Sequence, residues 1–154
     1  TPGAILWLTL FRDKIDEIME QVKCPVAVFV NRQYREGSAV SFVLGGMIDL
    51  FLFSYLDKML QNGHSVRLFL FDTDDEEFRG HIDDLQVRYP GQTMIVWFEG
   101  VEDLVTEEKD GLLIMSHLSY TKLSEDEAVM RELSSLLVIR RNKNTGDKNE
   151  GLEN

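Results

Sequence analysis

A single cysteine, Cys24, stands in 154 residues. It cannot close an internal disulfide, so the chain suits a reducing compartment. Positive charge is also scarce, with 16 Lys and Arg against 27 Asp and Glu and a formal net charge of −11. Such a surface repels phosphate backbones and anionic lipid, which excludes nucleic-acid binding and membrane-surface binding. No hydrophobic run is long and clean enough to span a bilayer. The nearest, residues 40–56, is divided by Gly45-Gly46 and carries Asp49 at its centre. A strand of about five residues feeding a buried helix explains it better than a span of about 20. The first apolar stretch, residues 4–11, has no basic lead-in and no small-residue cleavage site, so it does not read as a signal peptide.

Chemistry-bearing motifs are equally sparse. There is no Gly-x-Gly-x-x-Gly and no P-loop lysine. His64, His81 and His117 have no Cys or His partner at ligand spacing. Cys24, before Pro25 at a helix end, has no assignable base and reads as a buried, inert thiol. No catalytic constellation emerges, and the chain is expected to be no enzyme and to need no cofactor or metal.

What is present is enough apolar sequence, 44%, to fill the core of one domain. Ala4, Leu8, Phe11, Ile15, Ile18 and Val22 step by four and three residues, which predicts one helix with Asp13, Asp16, Glu17 and Glu20 outward. Pro25 ends it, and VAVFV at 26–30 reads as a buried strand. From Ala39 strands and helices alternate: strands at 39–44, 66–71, 93–98, 111–115 and 136–139, helices at 47–61, after Thr73, at 101–108 and at 124–133. Thr73 with Glu76, and Ser124 with Glu127, have the form of capping boxes. Strands greasy on both faces need helices on both faces. The expected fold is therefore α/β, an open five-stranded, mostly parallel sheet covered on both sides and preceded by an extra helix and strand. Residues 142–154 have almost no apolar content and are expected to be a disordered tail.

In such a sheet, ligands bind at the carboxyl ends of the strands. That rim carries Gly45 and Gly46 after the first of the five strands, Asp72 after the second, and Ser116 and His117 after the fourth. Gly45-Gly46 at a strand-to-helix turn either admits a phosphate to the backbone or simply makes a tight turn. The acidic run Asp72, Asp74, Asp75, Glu76, Glu77 reads either as a hard-cation site or as acids complementing a helix dipole, and the second already accounts for Thr73 and Glu76. A phospho-acceptor receiver with Asp72 as acceptor also needs an acidic pair after the first strand. Leu44-Gly45-Gly46 stands there instead.

The strand and helix order resembles the universal stress protein fold, a Rossmann-like arrangement. Many universal stress domains finish with a Cys-Pro-Val-hydrophobic strand, and Cys24 to Val30 is similar to that ending, but comes before the five strands. Residues 4–31 thus resemble the last helix and strand of a preceding repeat, and 39–141 a full repeat. The pairing of Phe11-Arg12, Cys24 to Val30, Asn31-Arg32 and a strand ending Gly45-Gly46 is similar to the cytoplasmic C-terminal region of monovalent cation:proton (sodium/hydrogen) antiporters. The resemblance implies a regulatory domain on the cytoplasmic side of the cell membrane, itself without membrane insertion. Its partners would be the transmembrane antiporter domain of the same polypeptide and a second copy in a homodimer. The absence of an initiator Met before Thr1 fits a piece of something longer. Universal stress domains often pair through their last strand, so Leu137 and Ile139 mark an edge. Either Val28 and Val30 cover it as an internal pseudo-dimer, or a second copy does. The alternative is a free-standing universal stress-type protein binding a small adenine nucleotide at Gly45, Gly46, Asp72, Ser116 and His117. Nucleotide-binding members carry G-x2-G-x9-G-[ST] after the fourth strand. Residues 116–127 contain no glycine, which implies weak or absent ATP binding.

Overall fold

The computed structural model describes residues 6–10, 15–71, 74–106 and 109–141. Among them are seven strands: β1 Leu6–Leu10, β2 Val26–Val30, β3 Val40–Leu44, β4 Val66–Phe71, β5 Thr93–Phe98, β6 Leu112–Ser116 and β7 Ser135–Arg140. The helices are α1 Ile15–Gln21, α2 Phe53–Gln61, α3 Glu76–Arg88, α4 His117–Leu123 and α5 Glu127–Met130, with 3-10 turns at Met47–Leu52 and Val101–Leu104. All seven strands form one sheet in the order β1-β2-β7-β6-β3-β4-β5. The five strands β3 to β7 run parallel, and β1 and β2 run parallel to each other but antiparallel to β7. The chain is α/β with a mixed, mostly parallel sheet.

The strands alternate between two cores, as the period of two requires. Phe42 and Leu44 of β3 join Leu52, Leu56, Phe78, Ile82 and Leu85 on the side of α2 and α3. Val43, between them, joins Ile15, Met19, Leu104, Tyr120 and Met130 on the side of α1, α4 and α5. Both faces are therefore roofed, which is why the strands need no polar alternation. At the far edge β5 is flanked only by β4 and leaves Met94 and Trp97 exposed; the Arg79 guanidinium lies over the Trp97 ring, 4.6 Å from its centre.

Several expectations change. The extra strand expected at 26–30 joins the five-stranded sheet as β2, and one unexpected strand, β1, lies beyond it, because the first segment is not one helix. Its uncharged stretch Leu6-Trp7-Leu8-Thr9-Leu10 pairs with β2 as β1, and among the described residues of the segment the helix is Ile15–Gln21. The 3.6-residue spacing was real, but an apolar strand beside an open partner gains a full ladder of backbone hydrogen bonds. The 101–108 helix shrinks to one 3-10 turn, Val101–Leu104. The 47–61 helix begins as a 3-10 turn and becomes α-helical at Phe53. Asp75 is the N-cap of α3, its carboxylate accepting from the Glu77 and Phe78 amides. Ser124 closes α4 rather than opening a helix, and Asp126 caps the short α5 instead. The 142–154 tail, Asp72 and Thr73 lie outside the described residues.

The strand β7 has β6 on one side and β2 on the other. Val28 pairs with Val138, Val30 with Leu136, Phe29 with Leu137 and Ala27 with Ile139. The edge offered to a second copy is thus occupied by the chain itself. Two arginines fasten this junction. The Arg140 guanidinium donates to the carbonyls of Met19, Val22 and Cys24, which α1 cannot satisfy within its own last turn. Burial pulls this guanidinium below the ordinary arginine value, and Cys24 acts weakly in the opposite sense. Arg32 donates through Nη1 to the carbonyls of Met130 (2.8 Å) and Leu133 (3.3 Å), and its amide donates to Ser135 Oγ at 2.7 Å.

On the opposite face α2 and α3 are tied at Asp57, whose Oδ1 accepts from the Tyr89 hydroxyl and from Arg88 Nη1, both at 2.7 Å. The Tyr89 hydrogen bond, and after it Arg88, hold the Asp57 carboxyl below its ordinary 3.8. A lowered carboxyl value in the folded state contributes stability above the unfolded value and loses it as pH falls through the folded one. The urea midpoint difference between wild type and Asp57→Asn is therefore expected to be constant above about pH 5 and to shrink below about pH 4. A difference unchanged down to the acid limit would rule out the carboxylate as the source of the tie.

Candidate functional site

In the five parallel strands the order runs β5-β4-β3-β6-β7, so the chain winds outward in both directions from the β3–β6 pair. The carboxyl ends beside such a switch point form the natural crevice of an open α/β sheet. An open cleft of about 410 Å³ lies there. Its walls are largely apolar: Val43 from β3, Phe71 ending β4, Phe98 ending β5, and Leu123 from α4. The Phe71 and Phe98 rings meet edge to face, with centroids 5.5 Å apart. Phe71, 44% exposed, and Ile48, 45% exposed, bring apolar surface to its mouth. The polar contributions come from Gly45, Ser119 and Lys122.

Behind this wall sits Asp49, in the 3-10 turn that follows β3 and completely buried. Its Oδ2 accepts from the Gly45 amide at 2.6 Å and from Ser119 Oγ at 2.8 Å. The carboxylate therefore latches the strand-to-helix turn to α4. Its other oxygen, Oδ1, has no hydrogen-bond donor among the described residues. The two glycines of the turn differ in kind: Gly45 is crowded and Gly46 is conformationally required. A Cβ on Gly45 would stand 3.1 Å from Ser119 Oγ and 3.3 Å from Asp49 Oδ2, and Gly46 has φ of 138°, a region open to glycine alone.

The rim residues anticipated from sequence are not gathered into one site. Gly45 lines the cleft, next to Gly46. Ser116 is buried as the N-cap of α4, its hydroxyl accepting from the Ser119 amide. His117 turns toward α1, where Nε2 lies 2.9 Å from Asp16 Oδ1, and its ring stacks on Tyr120. Asp72 lies outside the described residues. Among those described, no group of three or more His, Cys, Asp or Glu is placed to hold a metal ion. His81 packs its ring against Phe53. Cys24 is exposed, not buried as expected, because it lies in the turn between α1 and β2.

Sequence reasoning missed Asp49, Ser119 and Lys122. A carboxylate in the middle of an apolar run was visible, and its burial in a latch was the available inference. No helix was expected over residues 117–123, where α4 stands. Only Ser116, three residues before Ser119, hints at the cap. No helix among the described residues is long and apolar enough to cross a membrane. Compared with protein-family models and with curated protein sequences, the chain matches none.

Proposed function

We propose that this chain is a non-catalytic regulatory domain of universal stress type on the cytoplasmic side of a monovalent cation:proton antiporter. The observation that carries the reading is the junction at β7. The unit β1-α1-β2 repeats the unit β6-α4-α5-β7: two parallel strands joined by helix, with the helices packed into the same core. The two units meet antiparallel through β2 and β7, as two copies related by a local two-fold would. This is what the last helix and strand of a preceding repeat would do if the pairing of two universal stress domains were drawn inside one polypeptide. The order of the five parallel strands agrees with that fold.

The domain acts by coupling rather than chemistry. A regulator shifts a transporter only through contacts, or a ligand, that favour one state. The cleft beside Gly45 is where a small regulatory ligand acts, since its floor is latched through Asp49 to α4, and α4 leads through α5 to β7. The free-standing nucleotide-binding alternative has less support. Asp49 already takes the Gly45 amide, Ser116 caps a helix, and His117 is tied to Asp16.

The test is cation-driven proton exchange in everted membrane vesicles, using the full reading frame that encodes this chain. Deleting 39–141 is expected to shift the activating cation concentration or pH response by about tenfold while exchange persists. An upstream frame without hydrophobic spans, or exchange indifferent to the deletion, would sink the proposal.

A further inference from the structure

We infer that the cleft takes a small amphipathic monoanion, an apolar ring or chain bearing one carboxylate or sulfonate, and not a nucleoside polyphosphate. The inference rests on reading this cleft as a regulatory ligand site, and it names the ligand class. Three observations converge on it. The first is that the strand-to-helix turn is already filled. A backbone amide at such a turn is the usual grip for a phosphate. Here the Gly45 amide donates to Asp49 Oδ2 at 2.6 Å, so a carboxylate of the chain itself occupies the anion's place. A polyphosphate would have to displace a buried internal anion or sit against its charge.

The second is the wall. Val43, Phe71, Phe98 and Leu123 offer an apolar surface, and the exposed sides of Ile48 and Phe71 extend it to the mouth. Apolar surface of this kind gains by covering a ring or an aliphatic chain, not a ribose with its hydroxyls.

The third is Lys122. Among the described residues it is the one charged side chain lining the cleft, it is exposed, and no carboxylate pairs with it. On a chain of net charge −11 an unpaired ammonium at an apolar mouth selects a single negative group. More negative charge than one ammonium can balance would meet the net negative charge of the chain.

The probe is 8-anilinonaphthalene-1-sulfonate, titrated calorimetrically into the 154-residue chain, with ATP as competitor and near-ultraviolet circular dichroism to verify that each variant is folded. One-to-one binding near 10 µM is expected, on the order of 7 kcal/mol by the affinity relation. Lys122→Met, which keeps the stem and removes the charge, is expected to weaken it about fivefold. Ile48→Glu at the solvent-exposed mouth should weaken it at least about tenfold. Lys58→Met, in α2 on the opposite face, should leave it unchanged, and millimolar ATP should not compete. Displacement by micromolar ATP, or full affinity in Lys122→Met, would overturn the ligand class while leaving the cleft as a site. No saturable binding of either probe would overturn the site itself. Neither result bears on the vesicle assay, which reads the antiporter assignment separately.

Discussion

Arg140→Ala is expected to lower the unfolding free energy by about 3 kcal/mol, which for a chain of this size is a drop of roughly 6–12 °C in Tm. The guanidinium donates to three carbonyls, those of Met19, Val22 and Cys24, at the end of α1 and in the turn that leads into β2. Alanine leaves them without a donor. Water can reach only part of the loss, because the Met19 and Val22 contacts are partly buried. Arg140→Lys should recover less than half, since an ammonium offers a point charge where a planar fork serves three acceptors. The accompanying signature is regional. Amide exchange in β1 and β2 should accelerate well before that in β3 and β6, because Arg140 holds the first unit to β7. A uniform acceleration, or a loss below about 1 kcal/mol, would show that the β2–β7 ladder carries the junction unaided.

The second large effect is expected at Asp49→Ala, again about 3 kcal/mol. Removing the carboxylate leaves the Gly45 amide without its acceptor beneath the cleft and frees the Ser119 hydroxyl. Relief of a buried negative charge offsets part of the cost, but the hydrogen bonds it makes are charge-assisted and short. Asp49→Asn retains an acceptor for both donors and should cost less than Asp49→Ala. Ser119→Ala should cost about 1 kcal/mol, and the double variant Asp49→Ala/Ser119→Ala little more than Asp49→Ala alone, because the two changes break one shared contact. Urea unfolding of the four variants checks the series. Full additivity would mean that Asp49 and Ser119 act separately and that no latch joins the turn to α4.

The legible part of this chain was the part in which one physical force dominates. Strands β3 to β7 announced themselves as apolar runs, since a strand roofed on both faces has no polar side to confuse the pattern. Helix α3 was equally plain, with Phe78, Ile82 and Leu85 on one face. Two kinds of segment misled. Residues 6–10 fit a helical spacing and a strand alike, and the decision lay with β2, twenty residues on, which offers a ladder that local periodicity cannot see. In α4, Ser119 and Tyr120 face inward while Leu118 is exposed, so the apolar stripe that marks a helix is broken by a hydroxyl needed for the latch. The candidate site was legible only as a rim. Gly45-Gly46 located the turn, but the neighbours expected to act with it are used elsewhere. Ser116 holds a helix end and His117 reaches for Asp16, and both contacts depend on tertiary placement.

The junction between β2 and β7 also sets a timetable. Met19 and Arg140 are 121 residues apart in the chain yet meet in the fold. At a synthesis rate of roughly 5–20 residues per second, the first unit leaves the ribosome some 6–24 s before its partner strand exists. For that interval the edge of β2 that β7 will fill has no partner strand, and a passing chaperone or a neighbouring nascent copy is the competitor that β7 must outrun.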